Sequence, residues 1–132
     1  MVKNFPDTLV LANIGNNDGY HSQAPDEGQK DFYYNYLLDL WFRNMPGSAS
    51  VADSIQSTFM SAGYYRVDIS DTLSVLTFNN EYMDNDDDTS FQESEAAEQL
   101  DWLETQLSGA ANEGRKFILS GHIYPGTRYH GS

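Results

Sequence analysis

The chain contains no cysteine, which excludes a disulfide framework and any thiolate metal site. It has no Lys or Arg between Arg66 and Arg115, yet thirteen Asp and Glu fall in that window. Outside it seven acids balance seven bases, so the whole formal charge of -13 sits in one segment. Nucleic-acid recognition needs basic surface facing phosphates, and this chain lacks it; a long polyanion is repelled at a distance. No apolar run approaches the ~18 residues of a spanning helix. No Asn-x-Ser/Thr sequon occurs, and the opening Met1-Val2-Lys3-Asn4-Phe5-Pro6 lacks the apolar core of a signal peptide. What is present is globular material: 132 residues, 39% hydrophobic and 14% aromatic, enough for a core and against disorder throughout.

Leu9 to Ile14 is a short apolar run that stops at Gly15, and it predicts a buried strand feeding the polar loop Gly15-Asn16-Asn17-Asp18-Gly19. Asp31 to Phe42 carries apolar and aromatic residues around nearly the whole helical circumference, a pattern of a helix buried on most sides or covering an interface. Val51, Ile55 and Phe59 mark a second helix. Tyr64–Asp68 and Leu73–Phe78 read as a hairpin turning at Ser70-Asp71. Ala96, Leu100, Leu103 and Leu107 form a stripe on a helix near 95–107, with Gly109 as its expected stop. The leucines are expected to face the core beside Phe117 and Leu119 of a last strand, 116–120. The order predicts an α/β fold with layers on a sheet.

Two strand ends carry polar residues: Asn16, Asn17 and Asp18 after the first, His122 after the last. Sites in open α/β sheets gather at the carboxyl ends of strands, and a histidine there is well placed for a metal. The same residues also read as an ordinary turn and an ordinary loop histidine; position alone does not separate the two.

The surrounding text bears on that choice. Gly15-Asn16-Asn17-Asp18 resembles the Gly-Asn-His-Asp motif of the calcineurin-like metallophosphoesterases. Gly121-His122-Ile123-Tyr124-Pro125-Gly126 is similar to the Gly-His-Ile-Pro-Pro-Gly motif of their acid sphingomyelinase-like and endopolyphosphatase-like branch. Gly63-Tyr64-Tyr65, Leu76-Thr77-Phe78-Asn79 and Gln99-Leu100-Asp101-Trp102-Leu103 resemble further stretches of that branch, in order.

The resemblance implies a four-layer α/β/β/α sandwich holding two divalent ions, Zn, Fe or Mn. Of that domain, residues 1–132 would form a partial piece. Asn16 and His122 match ligands of one metal. Asn17 stands where the family commonly has a histidine that stabilises the transition state, and Asp18 where an aspartate orients it; these two are the catalytic candidates. Asparagine donates a hydrogen bond but does not shuttle a proton, which leaves Tyr20 or His21 as alternative donors. The family's Asp-x-His, Gly-Asp-x-x-Asp and Gly-His-x-His motifs do not occur in the chain. Two neutral ligands without a carboxylate make a poor catalytic site, so this chain alone is expected to be inactive. The implied activity of the complete domain is hydrolysis of a phosphate ester, sphingomyelin phosphodiesterase-like, with a lipid head group among the substrates to consider. The implied compartment is secreted or a lysosomal or vacuolar lumen. The alternative is a non-catalytic relative kept for binding or assembly. Oligomeric state is not legible.

Asp84, Asp86, Asp88 and Glu95 fall at positions 1, 3, 5 and 12 of a calcium-loop pattern, but Thr89 replaces the glycine required at position 6. A solvated acidic loop is the expectation there.

Overall fold

The computed structural model describes residues 4, 6–19, 24–83 and 90–124. Helix α1 spans Lys30–Leu38 and continues as a π-helical turn, Asp39–Arg43, where Asn44 N–H reaches back to the Asp39 carbonyl. Helix α2 (Ala49–Ala62) leads into strand β1 (Tyr65–Ser70), then β2 (Leu73–Thr77), a 3₁₀ turn (Asn80–Met83), helix α3 (Ser90–Glu113) and strand β3 (Lys116–Ser120). The sheet order is β1-β2-β3, with β1 and β2 antiparallel and β2 and β3 parallel. The expected hairpin and last strand are therefore present, and the chain is mixed α/β. No helix among the described residues is long and apolar enough to cross a membrane.

The core lies between α1, α2 and the sheet. Phe59 is fully buried, and its ring meets those of Tyr34, Trp41, Phe42 and Tyr65, three of the four edge-on. That geometry suits the quadrupoles of aromatic rings. Two polar pairs lie inside the core: the Tyr34 and Tyr82 hydroxyls are 2.8 Å apart, and Asn79 Nδ2 donates to the Ala62 carbonyl at 3.1 Å.

The segment 9–14 departs from the expectation of a strand, since it joins no backbone ladder among the described residues. Side chains do the pairing instead. Ser48 Oγ accepts from Val10 N–H and donates to the Val10 carbonyl, both at 3.0 Å, and the Tyr65 hydroxyl donates to the Ala12 carbonyl at 2.7 Å. Backbone polar groups away from water need partners, and here a serine and a tyrosine supply them.

Two leucines of the α3 stripe also face away from their expected side, while Leu103 is half-buried and Ala96 packs partly against the core. Leu100 is 52% and Leu107 39% exposed, and Leu119 on β3 is half-exposed as well. The inward face carries Gln92, Glu95 and Gln99, with Trp102 partly buried. Specific tethers set this rotation: Gln99 Oε1 accepts Asn79 N–H at 2.9 Å, Glu95 pairs with Lys30 at 3.1 Å, and Trp102 packs on Tyr64 at 4.8 Å between centroids. Nor does α3 stop at Gly109. It runs four residues further and ends before Gly114, whose φ of 63° is the left-handed C-terminal cap.

The aromatic helix buries Tyr34, Leu37, Leu38 and Phe42 on one side only; Phe32, Tyr36 and Leu40 point to solvent. It is thus not buried on most sides. The acidic loop 84–88 lies outside the described residues. Its last calcium-pattern member, Glu95, is buried in α3 beside Lys30.

The buried phenols set an alkaline limit on stability. Burial pushes Tyr65 up to about 12, and it raises Tyr33, Tyr34 and Tyr82 as well. In the unfolded chain these groups titrate near ~10. The fold therefore favours the neutral phenols, and this contribution is complete below pH ~10 and is lost as pH rises through the folded values. Unfolding free energy should change little between pH 7 and 9 on this account and fall steeply above ~10. Denaturant titrations across that range check it; a flat profile to pH ~12 contradicts the burial of the four hydroxyls.

Candidate metal centre

The turn after residue 14 closes on itself. Asp18 N–H donates to the Gly15 carbonyl and Gly15 N–H donates to Asp18 Oδ2, both at 2.9 Å. Asp18 thus holds the turn. The sequence folds this way because a short acceptor side chain three residues on reaches back to the first N–H of the turn. Asn16 projects from the middle of this loop, half-buried, and Asn17 is exposed.

On the other side of the site, β3 stays in register with β2 up to the Thr77–Ser120 pair, and Phe78 N–H donates to the Ser120 carbonyl at 3.0 Å. Ser120 Oγ accepts from Asn13 Nδ2 at 2.8 Å, tying the two polar loops together just before the site. Two residues on, His122 lays its ring over Gly15. A Cβ at Gly15 would come within 2.7 Å of His122 Nδ1, so no side chain fits there without moving the imidazole.

This arrangement brings His122 Nε2 to 3.1 Å from Asn16 Oδ1, a contact across 106 residues of sequence. The family resemblance implied that these two lie close together, and they are in contact, although Asn16 does not follow a strand. Asn17 Nδ2 donates to the same Asn16 oxygen at 3.2 Å. Tyr20 and His21 lie outside the described residues.

Donor geometry and donor count point in different directions for a metal. Two donors each roughly 2.1 Å from one ion lie about 3.0 to 3.4 Å apart, for angles between a right angle and the tetrahedral one. The 3.1 Å separation of Asn16 and His122 falls in that range. An amide oxygen and an imidazole nitrogen suit Zn, Fe or Mn. Yet no group of three or more His, Cys, Asp or Glu able to hold an ion exists among the described residues.

Sequence reasoning missed Asn80. It is buried at the start of the 3₁₀ turn, its Oδ1 accepts both His122 N–H and Ile123 N–H at 3.1 Å, and its Nδ2 donates to the Ile123 carbonyl at 2.7 Å. No local signal marks it, since its partners are backbone groups more than forty residues away.

Comparison with known proteins gives the same neighbourhood. The chain is 30% identical over 122 residues to acid sphingomyelinase-like phosphodiesterase 3b of Mus musculus, covering 92% of this chain and 26% of that protein. It is 29% identical over 122 residues to sphingomyelinase phosphodiesterase C of Dictyostelium discoideum, with the same coverage. An endopolyphosphatase of Cryptococcus neoformans var. neoformans is 29% identical over 127 residues, covering 90% of this chain and 17% of the relative. No protein-family model matches. The chain spans about a quarter or less of the length of these relatives. With the motif-bearing residues in order and similarity running over nine-tenths of its length, this chain fits one internal stretch of the acid sphingomyelinase-like phosphodiesterases and endopolyphosphatases.

Proposed function

We propose that the chain is part of a metal-dependent phosphoric ester hydrolase, sphingomyelin phosphodiesterase-like, built as a calcineurin-like four-layer sandwich. In this reading Asn16 and His122 hold the same divalent ion, and the remaining ligands, including the carboxylates, come from outside these 132 residues. The observation that carries it is the 3.1 Å hydrogen-bond contact of His122 Nε2 with Asn16 Oδ1, which also falls in the range that two ligands of one ion share. When bound, a divalent ion supplies an activated water and stabilises charge on the phosphoryl oxygens. The residues of this chain orient and hold. Asp18 fixes the turn from which Asn16 projects. Asn17 has two amide hydrogens; one is committed to Asn16, and the other is available to a phosphoryl or leaving-group oxygen. Asn17 donates without transferring a proton, so the proton for the leaving group comes from elsewhere.

The replacement of the family's common histidine by Asn17 also favours a second reading, a non-catalytic relative that keeps the fold for binding. Two measurements on the 132-residue chain address the metal role. Zn²⁺ titration followed by NMR should perturb the His122 imidazole first, with weak affinity, and Asn16→Ala or His122→Ala should remove that response. With an aryl phosphate and Zn²⁺ or Mn²⁺, turnover should stay at background. Absence of any metal effect at His122 defeats the ligand assignment. Robust turnover abolished by His122→Ala shows instead that this chain completes a site by itself.

A further inference from the structure

We infer that Asn80 is the positioning residue for His122, a side-chain clamp that continues the β2–β3 pairing past the point where the backbone ladder ends. The parallel ladder closes at Thr77–Ser120, with one last bond from Phe78 N–H to the Ser120 carbonyl. Beyond it the chain of β2 turns away into the 3₁₀ segment, and the Gly121–Ile123 loop loses its backbone partners. Asn80, only 6% exposed, replaces them with three bonds to two consecutive residues: Oδ1 accepts from His122 N–H and Ile123 N–H, and Nδ2 donates to the Ile123 carbonyl.

The chemistry of the site calls for an amide. Two donors converge on one oxygen, so that atom must be a pure acceptor, and a carbonyl oxygen 2.7 Å away requires a donor on the other branch. The same requirement fixes which branch of the Asn80 amide is oxygen. An aspartate keeps the two accepted bonds but sets a carboxylate oxygen against the Ile123 carbonyl. An alanine keeps none. With its backbone held at residues 122 and 123, the imidazole lies over Gly15, where a Cβ would meet Nδ1 at 2.7 Å, and its Nε2 arrives at Asn16 Oδ1. Groups that orient a metal-ligating histidine typically govern metal affinity by 10- to 100-fold.

The test separates placement from metal binding. Placement is read without metal, as the nuclear Overhauser contact between the His122 ring and the Gly15 Hα protons. It should be strong in the parent chain, lost in Asn80→Ala and partly restored in Asn80→Asp, while core contacts such as Phe59–Tyr65 persist in all three. Metal binding is read as the Zn²⁺ response of the His122 imidazole, which Asn80→Ala should weaken by about 10- to 100-fold, with Asn80→Asp in between. This second readout rests on the proposed metal role. A His122 that ignores Zn²⁺ in the parent chain defeats that role but leaves the placement result to stand. If Asn80→Ala does not fold, Asn80→Asp decides: a weakened ring contact with intact core contacts supports the clamp. An Asn80→Ala chain that folds and keeps the His122–Gly15 contact overturns it.

Discussion

Phe59→Ala should lower the unfolding free energy by about 3–5 kcal/mol, the range for truncating a buried phenylalanine. The side chain is fully buried and its ring is shared by Tyr34 on α1, Trp41 and Phe42 in the π-helical turn, and Tyr65 on β1, at centroid distances of 6.1, 6.5, 5.5 and 5.9 Å. Removing it leaves a cavity that four rings on three elements cannot fill by small rotations, because each is itself held edge-on or at a tilt to its neighbours. Domains of this size have total stabilities of roughly 5–15 kcal/mol, so the loss is a large share of the total and, at the low end of that range, all of it. The effect reaches the site, because Tyr65 also donates to the Ala12 carbonyl and so supports the segment leading to Asn16. Urea titration checks the value, with an unchanged slope showing that the folded state stays compact. A loss under ~1.5 kcal/mol would mean the ring cluster is less tightly packed than these distances imply.

Gly63→Ala is the second large effect. Gly63 caps α2 with φ of 77°, its N–H bonded to the Phe59 carbonyl at 2.9 Å. A left-handed conformation costs an alanine about 1–2 kcal/mol. The steric contribution comes on top: a Cβ would sit 2.3 Å from Ile14 Cδ1 and 2.9 Å from Tyr34 Cε1, and forced overpacking typically costs a further ~1–3 kcal/mol. Gly114 provides the control. It also has positive φ, 63°, but nothing within 4 Å of a built Cβ, so Gly114→Ala should show the conformational penalty alone. Thermal unfolding of the two variants should therefore differ, with Gly63→Ala lower by several degrees. Because Ile14 precedes Gly15 directly, the ring contact of His122 with Gly15 should also weaken in Gly63→Ala and not in Gly114→Ala. Equal losses in both variants would show that the packing around Ile14 yields easily.

Elements whose signals are local were legible in the residues alone. Alternating and β-branched runs placed β1, β2 and β3 within about two residues of their observed bounds, and apolar spacing placed the helices. The family resemblance set Asn16 and His122 beside each other, 106 residues apart in the chain, and they do meet, although the segment before Asn16 is not a strand. Features that depend on partners distant in the chain emerged only from the packed fold. Segment 9–14 has the composition of a strand, yet a serine and a tyrosine satisfy its backbone, and no periodicity reveals such an exchange. The leucines of α3 mark an apolar face, but Gln99, Glu95 and Trp102 have specific partners in Asn79, Lys30 and Tyr64, and those contacts turn Leu100 and Leu107 outward. Gly109 has the identity of a stop without its conformation; φ, which is set by where the chain must go next, belongs to Gly114. Asn80 reads as any polar residue after a strand, and it becomes a clamp only because the end of β3 arrives beside it with three backbone groups that need partners.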